Sequence, residues 1–177
     1  DICFVPDGKY SNLVRKLRPE SIKKGDIYHV DGSYLGEHNG IIDYTIGQRK
    51  GIRIGGRKDV TENDTKLFVI SIDEKNNKIV VGPKRYLSCD EFFINKCNWI
   101  TGSNKNKFEA LVKLRNTAKP VEVIIQTDLK KSNASVMLKN PEFGISPGQA
   151  AVFYDLEDKN RVLGGGWIKS TKNYLNG

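Results

Sequence analysis

The sequence predicts a mainly β protein in two parts, the second of them a small antiparallel barrel of six strands. Three observations lead there. After Pro83-Lys84-Arg85 the chain becomes a series of alternating segments, with Phe108, Ala110, Val112 and Leu114 in one and Val121, Val123 and Ile125 in the next. That alternation is the period of a half-buried strand. The segments recur at a spacing of roughly 10–15 residues with turn residues between them, as in small closed sheets. Finally, Gly164-Gly165-Gly166 falls inside the last segment, where a bulge or sharp bend would turn a barrel corner.

The barrel strands are expected near 91–100, 107–116, 120–127, 134–139, 149–155 and 161–169, within a domain of residues 88–177. The first domain, residues 1–87, reads as β-rich with one N-terminal helix. Ile2 to Val5 is a short apolar run that ends at Pro6. Asp7 is placed to cap a helix whose Tyr10, Leu13, Val14 and Leu17 share one face, and Pro19 stops it. Gly25 to Leu35 reads as a hairpin about Asp31-Gly32, a type I′ signal. One helical turn is expected near Ile41–Tyr44, then a hairpin of 67–72 and 79–81 about Asn76-Asn77.

Composition narrows the class of function. The chain has 177 residues and a formal net charge of +8, a balance that favours a polyanionic partner. No run of apolar residues is long enough to span a bilayer, and no secretory leader opens the chain. It starts at Asp1, so an upstream part is expected. Cysteines stand at 3, 89 and 97. An odd count without regular spacing argues against a disulfide framework and for a reducing, cytoplasmic compartment. His29 and His38 have no partner at zinc-ligand spacing, so no metal site is expected.

The most informative stretch is Gly36 to Gly51. Glycines recur at 36, 40, 47 and 51, with Gly55 and Gly56 beyond, and five basic residues but no acid lie between Gln48 and Lys58. Glycine allows close backbone approach to a ligand, Arg49 and Lys50 suit phosphate, and the Gln48 amide suits a base edge or ribose hydroxyl. The plainer alternative is a glycine loop with solvated charges. The run His38-x-Gly40 through Thr45-x-Gly47-Gln48-Arg49-Lys50-Gly51 resembles the signature segment of the bacterial tRNA-specific 2-thiouridylases, which replace O2 of the anticodon wobble uridine with sulfur. Asp1-Ile2-Cys3-Phe4, Lys113-Leu114-Arg115-Asn116, Ser146-Pro147-Gly148-Gln149 and Leu163-Gly164-Gly165-Gly166-Trp167-Ile168 resemble further segments of that family, in the family's order.

The resemblance implies a central β-rich domain followed by a barrel like those of translation factors. It implies that Cys3 carries a persulfide, whereas from its neighbours Ile2 and Phe4 alone Cys3 reads as a core residue. It implies that Gln48, Arg49, Lys50, Arg115, Asn116 and Gln149 contact the anticodon arm of tRNA. At position 116 the family commonly has tyrosine, so Asn116 retains hydrogen bonding but loses stacking. ATP, with magnesium, would activate the uridine in an upstream domain, and no cofactor is expected on this stretch. A sulfur-relay protein or cysteine desulfurase would donate the sulfur, and a second, upstream cysteine would resolve the persulfide as a disulfide. Two other readings stand beside it: a non-enzymatic RNA-binding barrel with an inert Cys3, and a cysteine hydrolase pairing Cys3 with His29 or His38.

Overall fold

The computed structural model describes residues 23–52, 54, 66–100, 106–115, 119–128 and 132–173. The expected helix over Tyr10–Leu17 and the run at Ile2–Val5 lie outside the described residues. The chain forms two compact units, Asp1–Arg85 and Tyr86–Gly177, each built on its own sheet. Among the described residues there is no α-helix, only 3-10 turns at Ile41–Asp43 and Lys84–Leu87. No helix among them is long and apolar enough to cross a membrane.

The first unit holds four strands: β1 (Gly25–His29), β2 (Tyr34–His38), β3 (Phe68–Asp73) and β4 (Lys78–Gly82), in the order β2-β1-β4-β3. β1 and β2 form one antiparallel hairpin and β3 and β4 another. The hairpins join because β1 runs parallel to β4, with Ile27 opposite Ile79 and His29 opposite Val81. Ile27, Val69, Ile79 and Val81 are fully buried and pack with Ile52 and Leu67.

The β1–β2 turn differs from the two-residue type I′ form expected. Gly32 N–H donates to His29 O and His29 N–H to Ser33 O, and of the loop residues only Gly32 is left-handed, at φ 88°. The loop is therefore three residues long, closed by a glycine bulge. Asp31 stays right-handed because its carboxylate caps the turn, accepting from both the backbone N–H and the hydroxyl of Ser33 at 2.9 and 2.6 Å.

The second unit is a closed barrel of β5 (Ser88–Trp99), β6 (Lys107–Lys113), β7 (Val121–Asp128), β8 (Asn133–Phe143), β9 (Ala150–Tyr154) and β10 (Val162–Asn173), in the order β10-β5-β8-β7-β6-β9. All its pairings are antiparallel. The alternation read from the sequence fills its interior: Ala110, Val112, Val123, Ile125, Ala151 and Phe153 are fully buried. β8 runs on past the expected end at 139. Pro141 has no N–H to give to a ladder, and it falls where residues 138–141 oppose Asp90 alone, between the pairs Glu142–Cys89 and Met137–Glu91.

The glycine triplet closes the barrel at β10. Trp167 pairs with Asn95 and Gly165 with Asn98, so residues 96 and 97 of β5 bulge opposite Gly166, with Lys96 left-handed at φ 51°. A Cβ on Gly164 would lie 2.4 Å from Asn98 O and 2.7 Å from Trp99 Cε3. No side chain fits there, because the obstacles are backbone and a ring packed against Phe108 and Phe153. Gly164→Ala should cost the barrel about 3 kcal/mol or more, combining overpacking with backbone strain. Gly148→Ala, at φ 85° with nothing within 4 Å, should cost only about 1–2 kcal/mol. Urea denaturation of the two variants measures the difference, and equal losses would show that close packing at Gly164 contributes nothing.

Candidate nucleic-acid interface

The Gly36–Gly51 stretch begins in β2 and continues as a loop fixed at both ends and in the middle. At its start His38 is 1% exposed. Gly40 N–H donates to His38 Nδ1 at 3.1 Å, and His38 Nε2 lies 3.1 Å from Asn77 O in the β3–β4 turn. Since Nδ1 must offer a lone pair to Gly40, the proton sits on Nε2 and is donated to Asn77. Tyr44 meets the imidazole edge to face at 5.7 Å. Gly25, opposite His38 in the ladder, has to be glycine: a Cβ there would lie 1.9 Å from Asn77 O and 2.7 Å from His38 Nε2. Asn77, left-handed at φ 51°, returns its side-chain amide to the carbonyls of Lys23 and Lys24.

The middle of the loop is pinned to β3. Gly47 N–H donates to Val69 O at 2.8 Å and Val69 N–H to Gln48 O at 2.9 Å. Gln48 also braces the loop with its side chain: Oε1 accepts from Thr45 N–H, and Nε2 donates to Lys50 O, both at 2.9 Å. Ile41 and Tyr44 pack on the core of the unit, and Ile52, at 5% exposure, ends the loop inside it. Arg49 and Lys50 are left exposed at its tip, with no ion pair among the described residues. The predicted segment is thus a rigid mount for two cations. Gln48 spends one donor and one acceptor of its amide on the mount, and one of each remains.

The barrel brings together two more predicted residues. Arg115, just past β6, and Gln149, just before β9, line a common hollow with Leu114. Arg115 Nη2 donates to Gly144 O, and Gln149 Oε1 accepts from Ser146 N–H at 3.3 Å. Gly148 N–H donates to Ile168 O and Ile168 N–H to Gln149 O, which fastens the Pro147-Gly148 turn to β10. Asn116, Cys3 and the basic residues Arg53, Arg57 and Lys58 lie outside the described residues.

The other titratable groups have structural roles. His29 Nδ1 sits 2.9 Å from Asp31 Oδ2, a carboxylate that the sequence reading did not connect with it, but Asp31 is the cap of the turn. His38 is held as a buried donor–acceptor bridge, which speaks against its use as a base in a hydrolase. Cys89 and Cys97 are free thiols. Burial pushes both up to about 11, so near neutral pH neither offers appreciable thiolate. Among the described residues no three His, Cys, Asp or Glu side chains gather as a metal site. Sequence reasoning saw His38 and Gly40 as a motif but missed Gly25 and Asn77, which complete the bridge from 13 and 39 residues away.

Two domain families match the two units. The model described as tRNA methyl transferase PRC-barrel domain matches residues 11–83, and that described as aminomethyltransferase β-barrel domain matches residues 89–168. The first match falls within the unit Asp1–Arg85 and the second within Tyr86–Gly177. Among curated proteins, the tRNA-specific 2-thiouridylase MnmA of Sphingopyxis alaskensis is 45% identical, over 97% of this chain and 41% of that relative. The proteins of the same description from Roseobacter denitrificans and Rickettsia canadensis are 45% and 47% identical, each over 95% of this chain and 43% of the relative. The chain belongs to the tRNA-specific 2-thiouridylase family, and spans less than half the length of the curated relatives it matches.

His38→Ala removes the acceptor for Gly40 and the donor to Asn77 and leaves a cavity behind. It should destabilise the first unit by about 3 kcal/mol, read by chemical denaturation. A loss below about 1 kcal/mol would mean that the imidazole is not what fastens the loop.

Proposed function

We propose that this chain is the RNA-contacting and sulfur-carrying part of a tRNA 2-thiouridylase. The observation that supports this most is the identity of 42–47% with proteins of that description along 95–97% of the chain. The geometry is consistent with it. Arg49 and Lys50 stand exposed on a preformed loop, so little ordering entropy is lost when they meet phosphate. Arg115 and Gln149 share a hollow at one end of the barrel, where a guanidinium and an amide can bind a backbone and read a base edge.

Within this reading Cys3 carries the transferable sulfur. Cys89 and Cys97 are poor candidates, because their thiols stay protonated well above neutral pH and a sulfur carrier must work as a thiolate. The uridine oxygen is a poor leaving group and must be activated by ATP, and the loop from Gly40 to Gln48 is not built to cradle its phosphates. A phosphate loop needs free backbone N–H groups aimed at the ligand. Here the N–H groups of Gly40, Gly47 and Gln48 are already committed to His38 Nδ1, Val69 O and Thr45 O. In this reading the activation, and the second thiol that would release the product, are assigned to the rest of the enzyme. The task of these residues is to grip the anticodon arm while the target base leaves its stack.

The test is Cys3→Ser in the full-length enzyme, with 2-thiouridine measured by nucleoside mass spectrometry. Loss of the modified nucleoside is expected, while Cys89→Ser and Cys97→Ser keep near-normal levels. Normal thiolation by the Cys3 variant would overturn the assignment of sulfur to this residue.

A further inference from the structure

The outer face of β6, β9 and β10 has a composition that the barrel does not need. On β6, Ala110 and Val112 point inward, and on β9 so do Ala151 and Phe153; their neighbours therefore face out. The pairings set these outward residues in rows. Leu111 stands beside Tyr154, Lys113 beside Val152 and then Gly165, and Ala150 beside Trp167. Lys113, Arg115, Gln149, Ala150, Val152 and Tyr154 line one open hollow. Trp167 borders it through Ala150 and is 53% exposed.

The indole of Trp167 is half exposed between Ala150 of β9 and Asn95 of β5, with Val152 and Gly165 in the adjoining row. Tyr154 and Trp167 are four residues apart in register, roughly 13 Å along the strands, far enough to take different bases of one extended strand. Lys113 and Arg115 run along one edge. Lys113 has no ion pair among the described residues. Of the nearby acids, Glu109 and Glu122 both hold Lys139, at 3.0 and 2.9 Å. The Asp155 carboxylate accepts from the N–H groups of Glu157 and Asp158, and Glu142 shares its hollow with Arg115 and Lys119.

We propose that this face is a platform for single-stranded RNA, with Tyr154 and Trp167 as stacking surfaces and Lys113 and Arg115 as the phosphate edge. Aromatic surfaces beside a cationic track are how single strands are bound without strict sequence preference, and the positive edge favours a polyanion over a neutral peptide or a second barrel. The platform rests on the RNA reading above and adds where a single-stranded segment of that RNA lies.

The experiment titrates the 177-residue chain with a labelled single-stranded RNA of about 12 nucleotides, an RNA hairpin of equal length, and a tRNA transcript. The single strand should bind more tightly than the hairpin and quench tryptophan emission, and Trp167→Phe should remove most of the quench. Tyr154→Leu should weaken binding about tenfold and Tyr154→Phe hardly at all. Lys113→Met should lower the slope of log K against log salt by about 0.7. Unchanged single-strand affinity in Tyr154→Leu and Trp167→Leu, or a hairpin bound as tightly as the strand, overturns the platform. If neutralising Arg49 and Lys50 still weakens tRNA binding in the same assay, only the platform falls. No binding of any RNA by the unsubstituted chain overturns both proposals. Should Tyr154→Leu melt early, photocrosslinking of 5-iodouridine RNA to the unsubstituted chain decides: adducts at Tyr154 or Trp167 are expected, and adducts only elsewhere contradict the platform.

Discussion

One buried imidazole organises the first unit. His38 is the last residue of β2, and its two ring nitrogens face opposite demands: Gly40 needs an acceptor and the Asn77 carbonyl needs a donor. A neutral histidine is the side chain that offers one of each across a rigid ring. Everything near it is shaped by that bridge. Gly25 has no side chain because the bridge runs through the space a Cβ would take. Asn77 adopts a left-handed conformation at the turn and binds back to Lys23 and Lys24. β1, β2 and the β3–β4 turn are thereby tied at one point, and the glycine-rich loop departs from that point in a fixed direction.

A fixed departure matters for the chemistry proposed. Glycines at 47 and 51 are left-handed, at φ 85° and 83°, and a loop with that much backbone freedom would ordinarily lose considerable entropy on binding a ligand. Here the loss is met on folding, through the bonds of Gly47 and Gln48 to Val69 and the burial of Ile52. The barrel solves its own closure problem by the same kind of local exclusion. Gly164 and Gly166 let β10 lie against the bulge of β5 under the Trp99 ring. That closure also sets Trp167 outward beside Ala150.

The barrel was legible because its information is local. Alternation in β6 and β7 states which residues face inward, and the triple glycine marks the corner. The first unit was legible as two hairpins but not as one sheet, since the parallel pairing of β1 with β4 joins residues about 50 positions apart and leaves no periodic trace. The Asp31-Gly32 turn was misread in type because a three-residue loop and a two-residue loop share that dipeptide; the difference lies in Asp31 binding Ser33. Of the candidate site residues, Arg49 and Lys50 could be read as exposed cations from charge alone. That Gln48 would brace its own loop could not, because an amide in a glycine-rich stretch suits backbone and ligand equally well. Gly25 carries no signal by itself. Its necessity appears only when His38 and Asn77 are placed around it.

Amide hydrogen exchange on the free chain, resolved by residue, tests most directly whether the basic loop is preformed. The N–H groups of Gly40, Gly47 and Val69 each have a partner inside the unit, and they should exchange only as slowly as the β1 and β4 amides of the sheet allow. Protection of those three comparable with Ile27 and Ile79, with rapid exchange limited to Arg49 and Lys50 at the tip, is the predicted result. Rapid exchange at Gly40 and Gly47 in a chain whose sheet is otherwise protected would contradict it, and would mean that the loop orders only when a ligand arrives.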